Sequence, residues 1–269
     1  MLASELVTLL AVFNATLNQY GYESHPFAVR CYNGINTMDK KFHLNYTDNT
    51  LALTVMAAPD VFEKAMKPFI CKSNIDDILK KSPTDECNKY YLKKFFDKYP
   101  ETDFLSSYNM LGPGHPVILS QTAAHVSGAA YYYQRKDVPA DTWPANKTIY
   151  GFAIHPRYGG WVRIPGVIVF KNLTVPSNFS CLTPPDVVPT TEKRIQLLNE
   201  VNNDWSSWKF ADIIPVEKKY TPEAKKYFSS YGEKRDKLLK DISKRCYRWK
   251  IFKLIVKLFK KFFLRYIKS

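Results

Sequence analysis

Residues 117–135, VILSQTAAHVSGAAYYYQR, decide how the rest of the chain is read. A short β-type run (Val117, Ile118, Leu119) leads into a patch of small residues: Ala123, Ala124, Ser127, Gly128, Ala129 and Ala130. The stretch closes on Tyr131, Tyr132, Tyr133 and Gln134, with His125 in its middle. Small residues let a backbone or a flat ligand approach closely, and tyrosines add broad faces with a polar tip. Two readings fit: a tightly packed helix junction, or the wall of a pocket for a large planar molecule.

The flanking segments predict the frame around it. Downstream, two apolar runs, 149–155 and 161–170, enclose the Gly-containing loop 156–160, which predicts a β-hairpin with a bulge or unpaired edge at Pro165. Residues 175–190 are proline-rich and irregular; 191–202, 221–229 and 233–242 are helical, the first two opening on threonines. Upstream, Leu2, Leu6, Leu9, Leu10, Phe13 and Leu17 share one helical face, which Gly21 ends. A strand over 26–32, a polar loop over 33–49 and a buried strand over 51–57 follow. Next come helices over 60–71 and 84–99, a strand over 102–110 and a turn at 111–116. Strands and helices mix without a regular βαβ alternation, which favours an α+β fold. Neither a GxGxxG after a strand nor a GxxxxGK[ST] occurs, so a Rossmann site and a P-loop are unsupported.

The 269 residues suffice for one large domain or two small ones, and 45% hydrophobic content argues for a folded core. Net charge is +14, but residues 240–269 hold eleven Lys or Arg against Asp241 alone, a net +10. The body is nearly neutral, so a nucleic-acid role would rest on the tail and is disfavoured. The cysteines Cys31, Cys71, Cys87, Cys181 and Cys246 are odd in number and none forms a CxxC, which favours reduced thiols and a cytoplasmic setting. The apolar run at 6–13 lacks a basic lead and carries Glu5 before it, against a signal peptide. No histidine pairs with another at i, i+3 or i+4, so no metal motif appears. For His155 a structural hydrogen bond is the expected role. His125 is left as a core histidine, a hydrogen-bond donor or a metal ligand.

The blocks ILSQTAAHVSGAAYYYQRKDV (118–138) and IHPRYGGW (154–161) resemble the CblC family of cytosolic cobalamin-processing enzymes, cyanocobalamin reductase or alkylcobalamin dealkylase, over about 19–239. The resemblance implies a fold like the flavin nitroreductases, a mixed sheet with helices around it. It implies that cobalamin binds base-off. Cyanide would leave on reduction by a reduced flavin (FAD or FMN, with NADP behind it), and alkyl groups by attack of glutathione. No catalytic acid–base pair and no metal ligand from the protein is expected. By resemblance, corrin contacts fall on Ser107, Ile118, Leu119, Ser120, Gln121, His125, Tyr132, Tyr133, Gln134, Ala153 and Ile164. Ser107 and Ala153 depart from the family's Asp and Cys. Of three family arginines for glutathione, Arg235 is kept, and the other positions hold Pro165 and Ala211. Arg163, two residues before Pro165, is the substitute if strand alternation holds. A looser glutathione would favour a thiol oxidase side reaction. A flavin or flavin reductase, a downstream cobalamin-trafficking chaperone and cobalamin-dependent enzymes are the implied partners. A nitroreductase-like oxidoreductase without cobalamin, or a basic membrane-surface binding protein, are the alternatives.

The tail is read separately, as 243–269 beside a 1–242 domain. Lys250, Lys253, Lys257, Lys260, Lys261, Arg265 and Lys268 recur at threes and fours. Ile251, Phe252, Leu254, Ile255, Leu258, Phe259, Phe262 and Phe263 lie between them. This predicts a basic amphipathic helix on an anionic membrane surface, in a partner's groove, or against the protein's own body.

Overall fold

The computed structural model describes residues 1–266, with side chains through 257 other than 250 and 254. Helix α1 (Ala3–Leu17) buries Leu6, Leu9, Phe13 and Leu17, the face predicted. Gly21, at φ 87°, turns the chain into β1 (Tyr22–Ala28), a backbone angle that favours glycine. The strand expected over 26–32 is displaced: β1 starts earlier and gives way at Val29 to α2 (Val29–Asn33). Pro26 is tolerated because β1 is an edge strand. Val29, Cys31 and Tyr32 are apolar because that short helix is buried.

Strand β2 (Thr50–Ala57) is buried at every position, which is why its sequence shows no polar alternation. A π-helical turn (Phe62–Met66) runs into α3 (Lys67–Lys72), followed by α4 (Ile75–Leu79) and α5 (Pro83–Phe96). Then come β3 (Thr102–Ser106), the small hairpin β4 (Met110–Gly112) and β5 (His115–Pro116), α6 (Ser120–Val126), β6 (Tyr131–Tyr133) and β7 (Phe152–Ile154). Strand β8 (Arg163–Thr174), α7 (Thr191–Asn203), α8 (Pro222–Phe228) and α9 (Gly232–Tyr266) complete the order. Thr190 and Thr221 cap α7 and α8 as expected, accepting from the N–H groups of Lys193 and Ala224.

The main sheet has the order β1-β2-β8-β3, and its pairings are antiparallel, where a mixed sheet was expected. The predicted hairpin of 149–155 with 161–170 does not form. Strand β7 pairs with β6, and β8 pairs with β2 and β3. The loop between them closes on itself through the His155–Gly159 bridge. Gly159 has φ 56°, and a Cβ there would lie 2.3 Å from the Ala211 carbonyl oxygen. That close packing redirects the chain from the small sheet to the large one. The bulge expected at Pro165 is present: Val55 faces Gly166 and Ala57 faces Arg163, so β8 uses one residue more than β2.

The reading of the cysteines as free thiols is overturned. Cys31 bonds Cys181 and Cys71 bonds Cys246, leaving Cys87 free and buried. The partners are 150 and 175 residues apart, so only tertiary packing brings them together, and local spacing carries no sign of it. The cytoplasmic expectation loses the support it drew from free thiols. No helix among the described residues is long and apolar enough to cross a membrane.

Helix α9 runs through residues 242 and 243 without a break. Leu238, Leu239 and Ile242 are buried, while Tyr247, Trp249, Ile251, Phe252 and Ile255 are exposed. Lys250, Leu254 and the tail positions from Leu258 to Lys268 lie outside the described side chains.

Candidate functional site

Helix α6 and strand β6 carry the opening stretch, and they divide its residues between two duties. The small residues pack. Thr54 donates to the Ala123 carbonyl at 2.9 Å, and the N–H groups of Ala129 and Ala130 both donate to the carbonyl of Ala124. Ala124, Ala129 and Ala130 form a cluster with Met56 and Ala153. For these residues the packed-junction reading holds.

The flanking residues line a cavity of about 400 Å³ beside Ile35, Thr37 and Met38. Ser107, Ile118, Leu119, Ser120, Gln121, His125, Tyr132 and Gln134 all border it. The local framework is hydrogen-bonded. Ser120 donates to Ser107 at 2.7 Å, and the Leu119 N–H donates to the Tyr32 hydroxyl at 3.0 Å. Burial pushes that phenol up to about 12, so it stays neutral. Gln121 accepts from the Ala153 N–H at 2.7 Å, tying α6 to β7.

Three residues named with these stand elsewhere. Tyr133 is fully buried, donates to Asp186 at 2.7 Å and accepts from the Val188 N–H at 2.8 Å. It follows Tyr132 on a strand, so its ring points to the opposite face. Ala153 and Ile164 belong to the small-residue cluster behind Tyr132. Conversely, Tyr131, Lys136 and Asp137 border the cavity, as do Ile35, Thr37 and Met38 from the segment read as a polar loop. No periodic signal marks that loop, so sequence reasoning had no means of placing it here.

His125 is half-buried, and its Nδ1 accepts from the Tyr132 N–H at 3.2 Å. A backbone amide only donates, so the imidazole proton resides on Nε2. Burial and then Lys136 lower its pKa, which keeps the ring neutral. In this tautomer Nε2 is a donor, and a metal-ligand role is disfavoured.

The same argument applies to the one cluster of potential metal ligands among the described residues, Glu23, His25 and His155. His155 Nδ1 accepts from the N–H groups of Arg157 (3.1 Å) and Tyr158 (3.3 Å), so Nε2 carries the proton and faces Glu23 at 3.6 Å. His155 is therefore structural, as expected. The His155 and His25 imidazoles, 3.6 and 3.8 Å away, hold the Glu23 carboxyl far below its ordinary range. The folded state thus binds this proton less readily than the unfolded one. Its stabilisation is present above about pH 4.5 and lost as pH falls. Acid titration of stability is expected to be flatter for Glu23→Gln than for the parent below that pH. Equal slopes in chemical denaturation would show that the network contributes nothing.

A second site lies at the C-terminal end of α8. The Arg163 guanidinium lies 4.9 Å over the Phe228 ring and donates from Nε and Nη2 to the Tyr108 hydroxyl at 3.3 Å. Arg235 lies over Tyr227 (5.4 Å) and Tyr231 (5.0 Å) and donates to the Ser230 carbonyl. Among the described residues neither arginine has a carboxylate partner. Tyr220 interacts electrostatically with Arg163, and its hydroxyl is buried with no hydrogen-bond partner. Cations without counter-ions beside an unsatisfied hydroxyl suit an anionic guest. The bulge at 164–165 breaks the alternation that made Arg163 a stand-in for position 165. The contacts of Arg163 are therefore the better guide to its role.

The fold and these two sites define an α+β protein with an open, polar and aromatic cavity, bordered by Ser107, and with two arginines that lack carboxylate partners among the described residues, Arg163 being held by Tyr108 next to Ser107. The chain belongs to the methylmalonic aciduria and homocystinuria type C family, whose profile matches residues 21–239. It is 41% identical over 228 residues to the cyanocobalamin reductase / alkylcobalamin dealkylase of Gallus gallus, covering 84% of this chain and 93% of that protein. It is 39% identical over 226 residues to the Homo sapiens protein of the same name, covering 83% and 78%. The crystal structure of a Caenorhabditis elegans B12-trafficking protein, CblC, superposes with a TM-score of 0.77 at 26% identity, over 89% of this chain and 97% of that one.

Proposed function

We propose that this chain binds cobalamin base-off in the α6–β6 cavity and removes its upper axial ligand. The carrying observation is that eight of the eleven residues assigned to the corrin by resemblance converge on one cavity. That cavity lies within the span of the family match. The relatives named cyanocobalamin reductase / alkylcobalamin dealkylase support the same reading. The fold kinship to flavin nitroreductases is part of this proposal.

The chain's own contribution is positioning. Ser107, Ser120, Gln134 and the Nε2–H of His125 offer hydrogen bonds to the corrin amides, while Ile118, Leu119 and the ring of Tyr132 cover its apolar face. With no protein residue as lower ligand, the cobalt of a base-off cobalamin would be five-coordinate and easier to reduce. A reduced flavin, bound or delivered by a reductase, supplies electrons for loss of cyanide. For alkyl groups, a glutathione held by Arg163 and Arg235 presents its thiolate to the cobalt-bound carbon. The carbon–cobalt electron pair stays on the metal, and a thioether leaves.

Mixing the purified protein with cob(III)alamin is expected to shift its visible spectrum to the base-off form. Absence of any shift at micromolar protein would sink the reading, and a yellow, cobalamin-indifferent protein would favour a flavin oxidoreductase. His125→Ala is expected to weaken cobalamin binding about 2- to 12-fold, the loss of one hydrogen bond, with the fold retained and the melting temperature only slightly lowered because the Tyr132 N–H loses its acceptor. A variant that melts early yet binds normally would make His125 a packing residue instead.

A further inference from the structure

The body grips helix α9 as far as the Cys71–Cys246 bond. Beyond it the helix presents large apolar side chains to solvent: Tyr247, Trp249, Ile251, Phe252 and Ile255 are 66, 58, 40, 55 and 45% exposed. Lys253 and Lys257 are exposed among them. The contacts these rings make are within the helix: Trp249 stacks on Phe252 at 5.7 Å, and Lys253 Nζ lies 5.4 Å over Trp249. Among the described side chains of this segment, these five large apolar ones are exposed and do not pack on the protein's own body.

At roughly 100° per residue, Tyr247, Ile251 and Ile255 share one face, and Lys253 and Lys257 share another. Phe252 and Trp249 lie further round towards the lysines, with the exposed Arg248 between Ile255 and Phe252. The family match ends at residue 239, before this surface begins. Its occupant must satisfy two demands together: negative charge, for a segment carrying net +10 over 240–269, and an apolar layer for exposed isoleucines and aromatics. A nucleic acid meets the first and leaves Ile251 and Ile255 in water. An acidic bilayer surface meets both, with headgroups for the lysines, the acyl boundary for the isoleucines and the interfacial layer for Trp249 and Tyr247.

We propose that the distal part of α9 docks the protein on an anionic membrane surface, with the helix lying in the plane of the interface. The test is co-sedimentation of the full chain with vesicles of phosphatidylcholine alone, and of phosphatidylcholine with one-third phosphatidylserine. Binding to the serine-containing vesicles only, weakening as salt rises, is expected. Lys253→Gln with Lys257→Gln should lower affinity about 30-fold, at roughly fivefold per charge near the surface. Ile251→Ser with Ile255→Ser should abolish binding at physiological salt. Both double variants lie outside the cavity and should keep the parental cobalamin spectrum, which shows that they remain folded. Failure to bind the acidic vesicles even at low salt overturns the proposal. So does binding that falls with the lysine changes but ignores the isoleucine changes, or tighter capture by a single-stranded oligonucleotide than by the vesicles.

Discussion

Arg163→Ala is expected to lower the glutathione-dependent dealkylation rate, read as kcat/KM for glutathione, about 10- to 150-fold while cobalamin affinity stays put. The range is that of one charge-assisted contact, about 1.5–3 kcal/mol. The guanidinium is already oriented by the Phe228 ring and the Tyr108 hydroxyl, and no carboxylate among the described residues neutralises it. Tyr108 takes the Nε–Nη2 edge, which leaves the Nη1–Nη2 edge for a carboxylate of the proposed glutathione. Arg163→Lys keeps the charge and loses the fork, so it should recover only part of the rate. Tyr220→Phe removes a hydroxyl that has no partner, so it should leave melting unchanged or raise it slightly while weakening glutathione. Decyanation, which needs no thiol, is the internal control. If Arg163→Ala slows decyanation and dealkylation equally, the residue supports the fold and does not meet glutathione.

Ala211→Arg is expected to destabilise the protein by about 3–5 kcal/mol, lowering the melting temperature by about 10 °C. Ala211 is fully buried, and its carbonyl accepts from the Gly160 N–H at 3.1 Å. A Cβ at Gly160 would lie only 2.8 Å from the Ala211 Cα, so the two segments are in contact and leave no room for a long side chain. The guanidinium would be buried unpaired or would force the turn at 156–160 apart. This changes how glutathione looseness is tested. We propose that weakly held glutathione lets a second thiol and oxygen reach the reduced cobalt, giving futile thiol oxidation. Restoring arginine at 211 would confuse that effect with unfolding. Oxygen uptake per dealkylation in Arg235→Ala is the cleaner measurement, and an unchanged ratio would count against the looseness idea. A melting temperature for Ala211→Arg within about 2 °C of the parent would show that position 211 has space the packing does not reveal.

The outcome for the two histidines shows what distance along the chain conceals. Neither His125 nor His155 has a histidine neighbour at helical spacing; the sequence predicts a structural hydrogen bond for His155 and leaves three roles open for His125. In both, a backbone amide donates to Nδ1 and puts the proton on Nε2. His125 then borders an open cavity, and His155 is 3% exposed against Glu23. Tyr132 and Tyr133 part in the same way, because adjacent strand residues face opposite sides and only the surroundings say which side is the cavity.

What the sequence by itself determined is what neighbouring residues control: the buried face of α1, the wholly apolar β2, the threonine caps of α7 and α8, and the bulge at Pro165. It also held the two blocks that mark the family. Those features depend on side-chain periodicity, backbone donors and fixed dihedrals within a few residues. The tertiary structure alone decided the pairing of β7 with β6, the two disulfides across 150 and 175 residues, and the arrival of Ile35, Thr37 and Met38 at the cavity. It also decided the burial of Ala211, at a position where the resemblance implies an arginine. Each of these is a contact between distant segments, selected by the packing of the whole core, and local propensity places no constraint on it.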